Sequence, residues 1–197
     1  MKRSLDVLLA AMGLALLAPI WLAVAVWIKL DSPGPILFRQ ERVGRHARVF
    51  RIRKFRTMAV DAPERGPSIT ASTDPRITRA GQFLRRYKLD ELPQLIDVLA
   101  GNMSIVGPRP EVPQYVALYP PSTRELVLSI RPGITDDAAI LFRDESQVLA
   151  AAADPHTVYV REILPKKLAL YEKYVRTRSL AGDFAIIWRT LVRIARP

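Results

Sequence analysis

The sequence predicts an α+β chain, mainly helical, in two parts: a membrane-inserted N-terminal helical element over residues 1–32 and a domain with a small β-hairpin over residues 33–197. Three observations predict it. Val7 to Ile28 run 22 residues without a charge, residues 37–56 alternate apolar and basic side chains, and later segments repeat apolar residues at helical spacing. A chain of 197 residues is long enough to bury a core.

At about 1.5 Å per residue the uncharged run just spans a hydrocarbon core as a helix. A signal peptide is the competing reading, with Lys2 and Arg3 as a basic leader and "AVA" at 23–25 as a cleavage-like site. Against it, the run is long for such a leader, and a basic chain without Cys follows. Pro19 removes a backbone hydrogen bond just past the middle and predicts at least a kink. Positive charge flanks both ends, with Lys2 and Arg3 before the run and Lys29, Arg39 and Arg42 after it, so charge sets no orientation. A simple span and a helix-break-helix hairpin returning to the same leaflet both satisfy these facts.

"DSPGP" at 31–35 ends the element, because Pro33 and Pro35 resist helix continuation. "ILFRQERV" and "RVFRIRKFR" follow, joined by "GRHA", with Phe50 and Ile52 inward and Arg51 and Arg53 outward, and predict a β-hairpin. Residues 39–56 hold eight basic side chains against Glu41 alone, a density that beside a membrane element suits phosphate or anionic head groups. Residues 59–76, rich in Pro, Ser, Thr and Gly, predict a long surface loop. "ITRAGQFLRRYKL" predicts a helix with Phe83 and Leu84 inward. A second helix starts at Asp90, with Leu92, Leu95, Ile96 and Leu99 on one face, and "AGN" at 100–102 stops it.

"IVGPRPEVP" at 105–113 cannot be helical with three prolines, and it holds Arg109 in a stiff extended backbone. "SIRPGIT" at 129–135 is a second Pro-Gly turn, carrying Arg131, and Asp136, Asp137, Asp144 and Glu145 after it read as solvated acids or partners for the excess Arg, with metal ligation as the alternative. "SQVLAAAADP" and "ILPKKLALYEKYV" predict two further helices. In "DFAIIWRTLVRIA", Phe184, Ile187, Trp188, Leu191 and Ile194 share a face, a pattern that serves equally for packing on the core or for lying in a membrane interface.

The composition excludes disulfides, Cys nucleophiles and thiolate metal sites, since there is no Cys. Two His are too few for a His-rich metal centre. A formal charge of +11 calls for a polyanionic partner, and the apolar run together with the lack of any nucleic-acid module turns that reading from nucleic acid to lipid and phosphorylated substrates.

"RYKLDELPQL" at 86–95 sets Asp90 beside Glu91. The pair serves as an ordinary helix start, with Asp as N-cap and Glu in the first turn. The same position favours the ionised form of Asp90 and makes it a candidate nucleophile on phosphorus. Such attack needs the substrate's charge offset by cations, and Arg85, Arg86, Lys88, Arg56, Arg76 and Arg109 lie in this and nearby segments.

With "SPGPILFRQERVG", "FRIRKFRTM", "TDPRITRAGQFLRR", "LDELPQLIDVLAGNMSIVGPRP" and "RPGIT" in that order over almost the whole length, the chain resembles the bacterial sugar transferases, the monotopic phosphoglycosyl transferases. The resemblance implies transfer of a sugar-1-phosphate from a nucleotide diphosphate sugar, usually a UDP-sugar, to polyprenyl (undecaprenyl) phosphate, with release of UMP. It implies Asp90 as the nucleophile that carries the phosphosugar, and Glu91 as its partner in proton transfer or in holding Mg²⁺ with it. Arg109 of the Pro-Arg-Pro loop and Arg85 are implied on the substrate's phosphates, with Lys54 and Arg56 lining the same pocket and Arg76 and Arg131 in flanking motifs. The N-terminal element is implied to be re-entrant, broken at Pro19, and the domain to be catalytic, with interfacial amphipathic helices, on the cytosolic face of the bacterial inner membrane. Expected partners are the UDP-sugar, polyprenyl phosphate and membrane phospholipid, with a second copy of the chain left open and nucleic acid excluded.

Three departures stand out. Ala18 precedes the break where the family often has Ser. "DDAAILFRDE" follows "RPGIT" where many members read Gly-Trp-Ala-Gln-Val, so sugar identity does not carry over, and "YK" precedes the Asp-Glu motif where small hydroxyl residues are common.

Overall fold

The first 31 residues favour helix on both sides of Pro19, whose missing N–H is the one gap in the backbone hydrogen bonds of Val7 to Ile28. In the computed structural model, which describes residues 1–62 and 74–195, that helix, α1 (Lys2–Asp31), runs unbroken through Pro19. The expected hairpin of two helices is therefore not what forms. Proline removes one ladder bond here without ending the helix, because the flanks on both sides are held to the same body.

Those attachments are polar at the ends and apolar between. Arg3 donates to the Val98 carbonyl at 2.7 Å, and the buried Asp6 accepts from Ser104 Oγ at 2.8 Å and from the Ile105 N–H at 3.1 Å. At the other end Asp31 accepts from the Ala80 N–H at 3.0 Å. Between them Ala10, Leu17 and Val24, seven residues apart, form a shielded stripe with Leu14, Trp21 and Ile28. The opposite face leaves Leu8, Met12, Leu16, Leu22, Val26 and Leu30 exposed. The helix is long and apolar enough to cross a membrane, yet the rest of the chain lies along its whole length.

Alternation forms the expected hairpin: β1 (Leu37–Val43) pairs antiparallel with β2 (Val49–Phe55), Leu37 opposite Phe55 and Val43 opposite Val49. His46 and Ala47 turn it at positive φ. Ile52 and Phe55 enter the core as the period predicts, but Arg53 is not simply outward. Its N–H and its guanidinium donate to the buried Asp97 at 2.9 and 2.5 Å.

Residues 63–73 of the expected loop over 59–76 lie outside the described residues. Thr78 caps α2 (Arg79–Arg86) by accepting from the Gly81 N–H at 3.0 Å. Leu84 is fully buried, whereas Phe83 is exposed and stacks between Trp27 and Tyr87. The helix expected from Asp90 is two pieces, a 3₁₀ turn at Leu89–Glu91 and α3 (Gln94–Leu99). Its expected apolar face is shared out: Leu95 lies against α1, Asp97 and Val98 are buried, and Leu99 is exposed.

β3 (Ser104–Val106) pairs in parallel with β4 (Gly133–Thr135). The pairing needs glycine twice, since a Cβ on Gly133 would meet the Gly107 nitrogen at 2.1 Å and one on Gly107 the Arg131 carbonyl oxygen at 2.8 Å. Between the strands come α4 (Pro113–Val116) and α5 (Pro121–Leu128). After β4 follow α6 (Asp137–Leu141), α7 (Glu145–Ala150), α8 (Pro155–Val158), a π turn over Tyr159–Ile163, α9 (Leu164–Thr177) and α10 (Leu180–Ala195). The largest core cluster joins Val43, Tyr115, Tyr119, Leu168 and Tyr171. The expected stripe of α10 is turned outward: Ile186 and Asp183 pack inward, while Phe184, Trp188 and Leu191 are exposed.

Candidate active site

Four segments from distant parts of the chain deliver charge to one place. β2 contributes Lys54, the end of α2 contributes Arg85, the 3₁₀ turn contributes Asp90 and Glu91, and the extended chain after β3 contributes Arg109. Lys88 turns the chain from α2 into the 3₁₀ turn at a φ of 56°, a left-handed conformation that a non-glycine residue adopts only when its surroundings enforce it.

Glu91 is the hub. Its Oε1 accepts from Lys54 Nζ at 2.8 Å and from Arg109 Nη2, and its Oε2 accepts from Arg109 Nη1 at 3.0 Å. The fork of Arg109 thus meets the carboxylate with both terminal nitrogens, the strongest geometry for this pair. Burial alone would raise the Glu91 carboxyl, but Arg109 and Lys54 hold it well below the usual range, and Glu91 raises Arg109 in return. Burial lowers Lys54, with Glu91 opposing.

Asp90 differs from its neighbour in every respect. It is 7 % exposed, and its carboxylate has no hydrogen bond or ion pair among the described residues. Burial pushes it above the ordinary carboxylate range, Lys54 opposes, Glu91 adds to the rise, and Lys88 and Arg85 oppose more weakly. This corrects the expectation that the helix start governs Asp90, since a single 3₁₀ turn has little dipole and burial outweighs it. Two adjacent carboxyls with their acidities pushed apart take different roles: Glu91 is the fixed anion, and Asp90 is the more basic and unencumbered oxygen donor.

The other expected residues divide. Arg85 donates Nε to Thr57 Oγ1 at 2.9 Å and faces Asp90 and Asp74. Arg76 is gripped by Asp74, with Nη2 to Oδ2 at 2.6 Å, and donates to the Ala62 carbonyl at 2.8 Å. Arg56 is turned to the end of α1, where it donates to the Ser32 and Pro33 carbonyls at 2.8 and 2.5 Å. Arg131 donates to the Gly101 carbonyl at 2.8 Å. Lys54, Arg85, Asp90, Glu91 and Arg109 therefore form the cluster, while Arg56 and Arg131 hold backbone.

For Mg²⁺ the fit is with Asp90 alone. Among the described residues no group of three His, Cys, Asp or Glu side chains is placed to hold a metal ion. Glu91, expected to share the ion, has both oxygens engaged by cations. A hard ion that completes its shell with substrate phosphates and water needs only one or two carboxylates, and the unpaired Asp90 would supply one.

Sequence reasoning missed the support behind Arg109. Glu111, directly after the Pro-Arg-Pro loop, accepts from Tyr159 Oη at 2.7 Å and lies 3.5 Å from Arg42 Nη1. Arg42 also donates to the Pro110 carbonyl at 3.0 Å. The available signal was an acidic residue next to the loop in a basic chain, but its partners come from β1 and the π turn, far away in sequence.

Asp136, expected at the surface, is buried. Its Oδ1 caps α6 through the Ala139 N–H at 2.8 Å, and its Oδ2 has no partner. Burial pushes it up to about 6, against the opposing Ala139 N–H and Arg109. The folded chain thus binds more protons than the unfolded one between the ordinary 3.8 and about 6, and stability falls as pH rises through that window, by about 3 kcal/mol in all. Asp136→Asn keeps a capping oxygen and is expected to raise the melting temperature at pH 7.5 but not at pH 4. An equal shift at both pH values would show that burial of the charged form is not the cause.

Comparison with known proteins adds the context. The family model described as bacterial sugar transferase matches residues 1–197. The chain is 36% identical over 195 residues to the UDP-N-acetylgalactosamine-undecaprenyl-phosphate N-acetylgalactosaminephosphotransferase of Aeromonas hydrophila, covering 96% of this chain and 42% of that one. It is 36% identical to the UDP-glucose:undecaprenyl-phosphate glucose-1-phosphate transferase of Escherichia coli (strain K12), covering 98% and 40%. With the protein of the same name from Caulobacter vibrioides it shares 40% identity, covering 96% and 68%. The chain thus spans about two fifths of the length of the first two relatives.

Proposed function

The chain belongs to the bacterial sugar transferase family, and we propose that it transfers a sugar-1-phosphate from a UDP-sugar to undecaprenyl phosphate, releasing UMP, in polysaccharide assembly. The observation that carries this reading is the pairing of an unencumbered, buried Asp90 with two cations, Lys54 and Arg109, held on the adjacent Glu91. In the first step an Asp90 oxygen attacks the sugar-bearing phosphorus. An O–P bond forms to Asp90, the bridging P–O bond breaks, and its electron pair leaves with UMP. In the second step a phosphate oxygen of the lipid attacks the same phosphorus and frees Asp90. The acyl-phosphate keeps the transferable bond energy between the two steps.

Arg109, Lys54 and Arg85 offset the diphosphate's charge during attack. Asp90 is the residue that would hold Mg²⁺ together with the diphosphate, and the ion would there supply further neutralisation of charge. Purified chain in detergent, given undecaprenyl phosphate and a panel of UDP-sugars with Mg²⁺, is expected to release UMP with at least one of them. No release across the panel would sink the reading.

Residues 1–32 are the membrane element and 33–197 the catalytic part in this reading. Because both ends of α1 are bound to one body, the unbroken helix keeps both ends on the cytosolic face and lies along that leaflet, offering its exposed apolar side to lipid. Phe184, Trp188 and Leu191 on α10, beside Arg189 and Arg193, rest at the interface. Polyprenyl phosphate keeps its phosphate at that depth, so a site there meets both substrates. The chain has no Cys, so Ser4→Cys and Ser32→Cys give clean labels. An impermeant thiol reagent is expected to reach both from the cytosolic side of oriented vesicles, and labelling from opposite sides would mean a simple span.

A further inference from the structure

Lys54 and Arg109 cannot serve two anions at full strength. Both terminal nitrogens of Arg109 and the ammonium of Lys54 point at the Glu91 carboxylate, and carboxylate and phosphate accept the guanidinium fork with the same paired geometry. The donors are well shielded, with side-chain exposures of 26% for Arg109 and 18% for Lys54 against 12% for Glu91. A charged pair in such a place is held firmly, and breaking it without replacement is costly. Glu91 therefore competes with any diphosphate for the donors that the diphosphate needs, and it does so from within the chain, where it cannot be diluted away.

We propose that Glu91 is a built-in stand-in for the diphosphate: it keeps Lys54 and Arg109 ordered between turnovers, and the incoming nucleotide diphosphate takes Arg109 from it. The inference rests on the diphosphate reading of this site and adds a role in product release. UDP-sugar brings two linked phosphates and displaces the carboxylate. UMP retains one, and Glu91 closes back onto Arg109 and expels it. The arrangement keeps two neighbouring cations from repelling each other out of position, and it limits how tightly the product binds.

The test is UDP binding to the full chain in detergent, by titration calorimetry at pH 8, where UDP is fully ionised and has no sugar to transfer. Glu91→Gln is expected to bind UDP about tenfold more tightly than the wild type, the scale of one competing charge-assisted pair. Glu91→Asp, which keeps the charge but shortens its reach, is expected to fall between them. In steady state Glu91→Gln should lower the KM for the UDP-sugar while kcat falls, because UMP leaves more slowly. Unchanged or weaker UDP binding by Glu91→Gln would overturn the proposal and make Glu91 a scaffold for the cations. Should Glu91→Gln fail to fold by circular dichroism, Glu91→Asp decides alone: tighter binding supports the proposal, and no gain overturns it. Arg109→Gln separates the two layers of argument. If it binds UDP as tightly as the wild type, the diphosphate reading falls and this inference with it, whereas a loss there combined with no gain in the Glu91 variants removes only the inference.

Discussion

Asp90→Asn is expected to abolish UMP release, with a loss of about 10⁴-fold or more, the scale seen when a covalent nucleophile is removed. Asn is nearly isosteric but cannot form an acyl-phosphate. Its fold should survive, because the substitution replaces a buried carboxyl, raised by desolvation, with a neutral group. The decisive measurement is intact mass after exposure to the UDP-sugar without lipid acceptor. The wild type should gain one phosphosugar and Asp90→Asn none. Undiminished release by the variant would remove Asp90 as nucleophile. The pH profile follows with a definite sign. Attack needs the ionised form, so activity should fall on the acid side through a midpoint above the ordinary carboxylate value of 3.8.

Arg109→Ala carries the second largest effect, a loss of about 10²–10³-fold in kcat/KM, the usual scale for deleting one donor to developing charge. Stability should fall too, because Glu91 keeps only Lys54. A cost of about 2–3 kcal/mol is expected, discounted from the range for fully buried pairs because Arg109 is a quarter exposed. Arg109→Lys restores charge but not the fork, so it should recover stability more than rate. Paired thermal melts and UMP-release kinetics separate the two. A lysine variant with full activity would show that point charge alone suffices at this position.

Local signals carried much of this architecture. The hairpin follows from alternation, α9 begins beside Pro165, and the Asp-Glu pair stands out because acids are scarce around it. Stripes were less informative. Phe83, Leu99 and Trp188 sit at helical spacing with buried neighbours, yet all three are exposed. In a chain with two apolar surroundings, a protein core and a lipid surface, periodicity marks an apolar face without saying which of them receives it. Buried acids were harder still. Asp136 read as a solvated charge, and Asp6, Asp97 and Glu111 carried no sign of burial, because their partners, the Ala139 N–H, Ser104, Arg53 and Tyr159, arrive through folding, three of them from distant segments. Arg56 and Arg131, by contrast, sit in motifs rich in cations, and only the fold shows that they bind carbonyls rather than the site.

The clasp at the start of α1 bears on how the protein is made. Asp6 is comfortable only when Ser104 and the Ile105 N–H reach it, and those groups leave the ribosome about a hundred residues later. Until then an acid beside the apolar run resists entry into lipid, and Arg3 has no carbonyl at Val98 to receive it. The helix therefore reaches its final seat as part of the folding domain rather than ahead of it, and the order of synthesis itself favours the seat on the domain over early insertion.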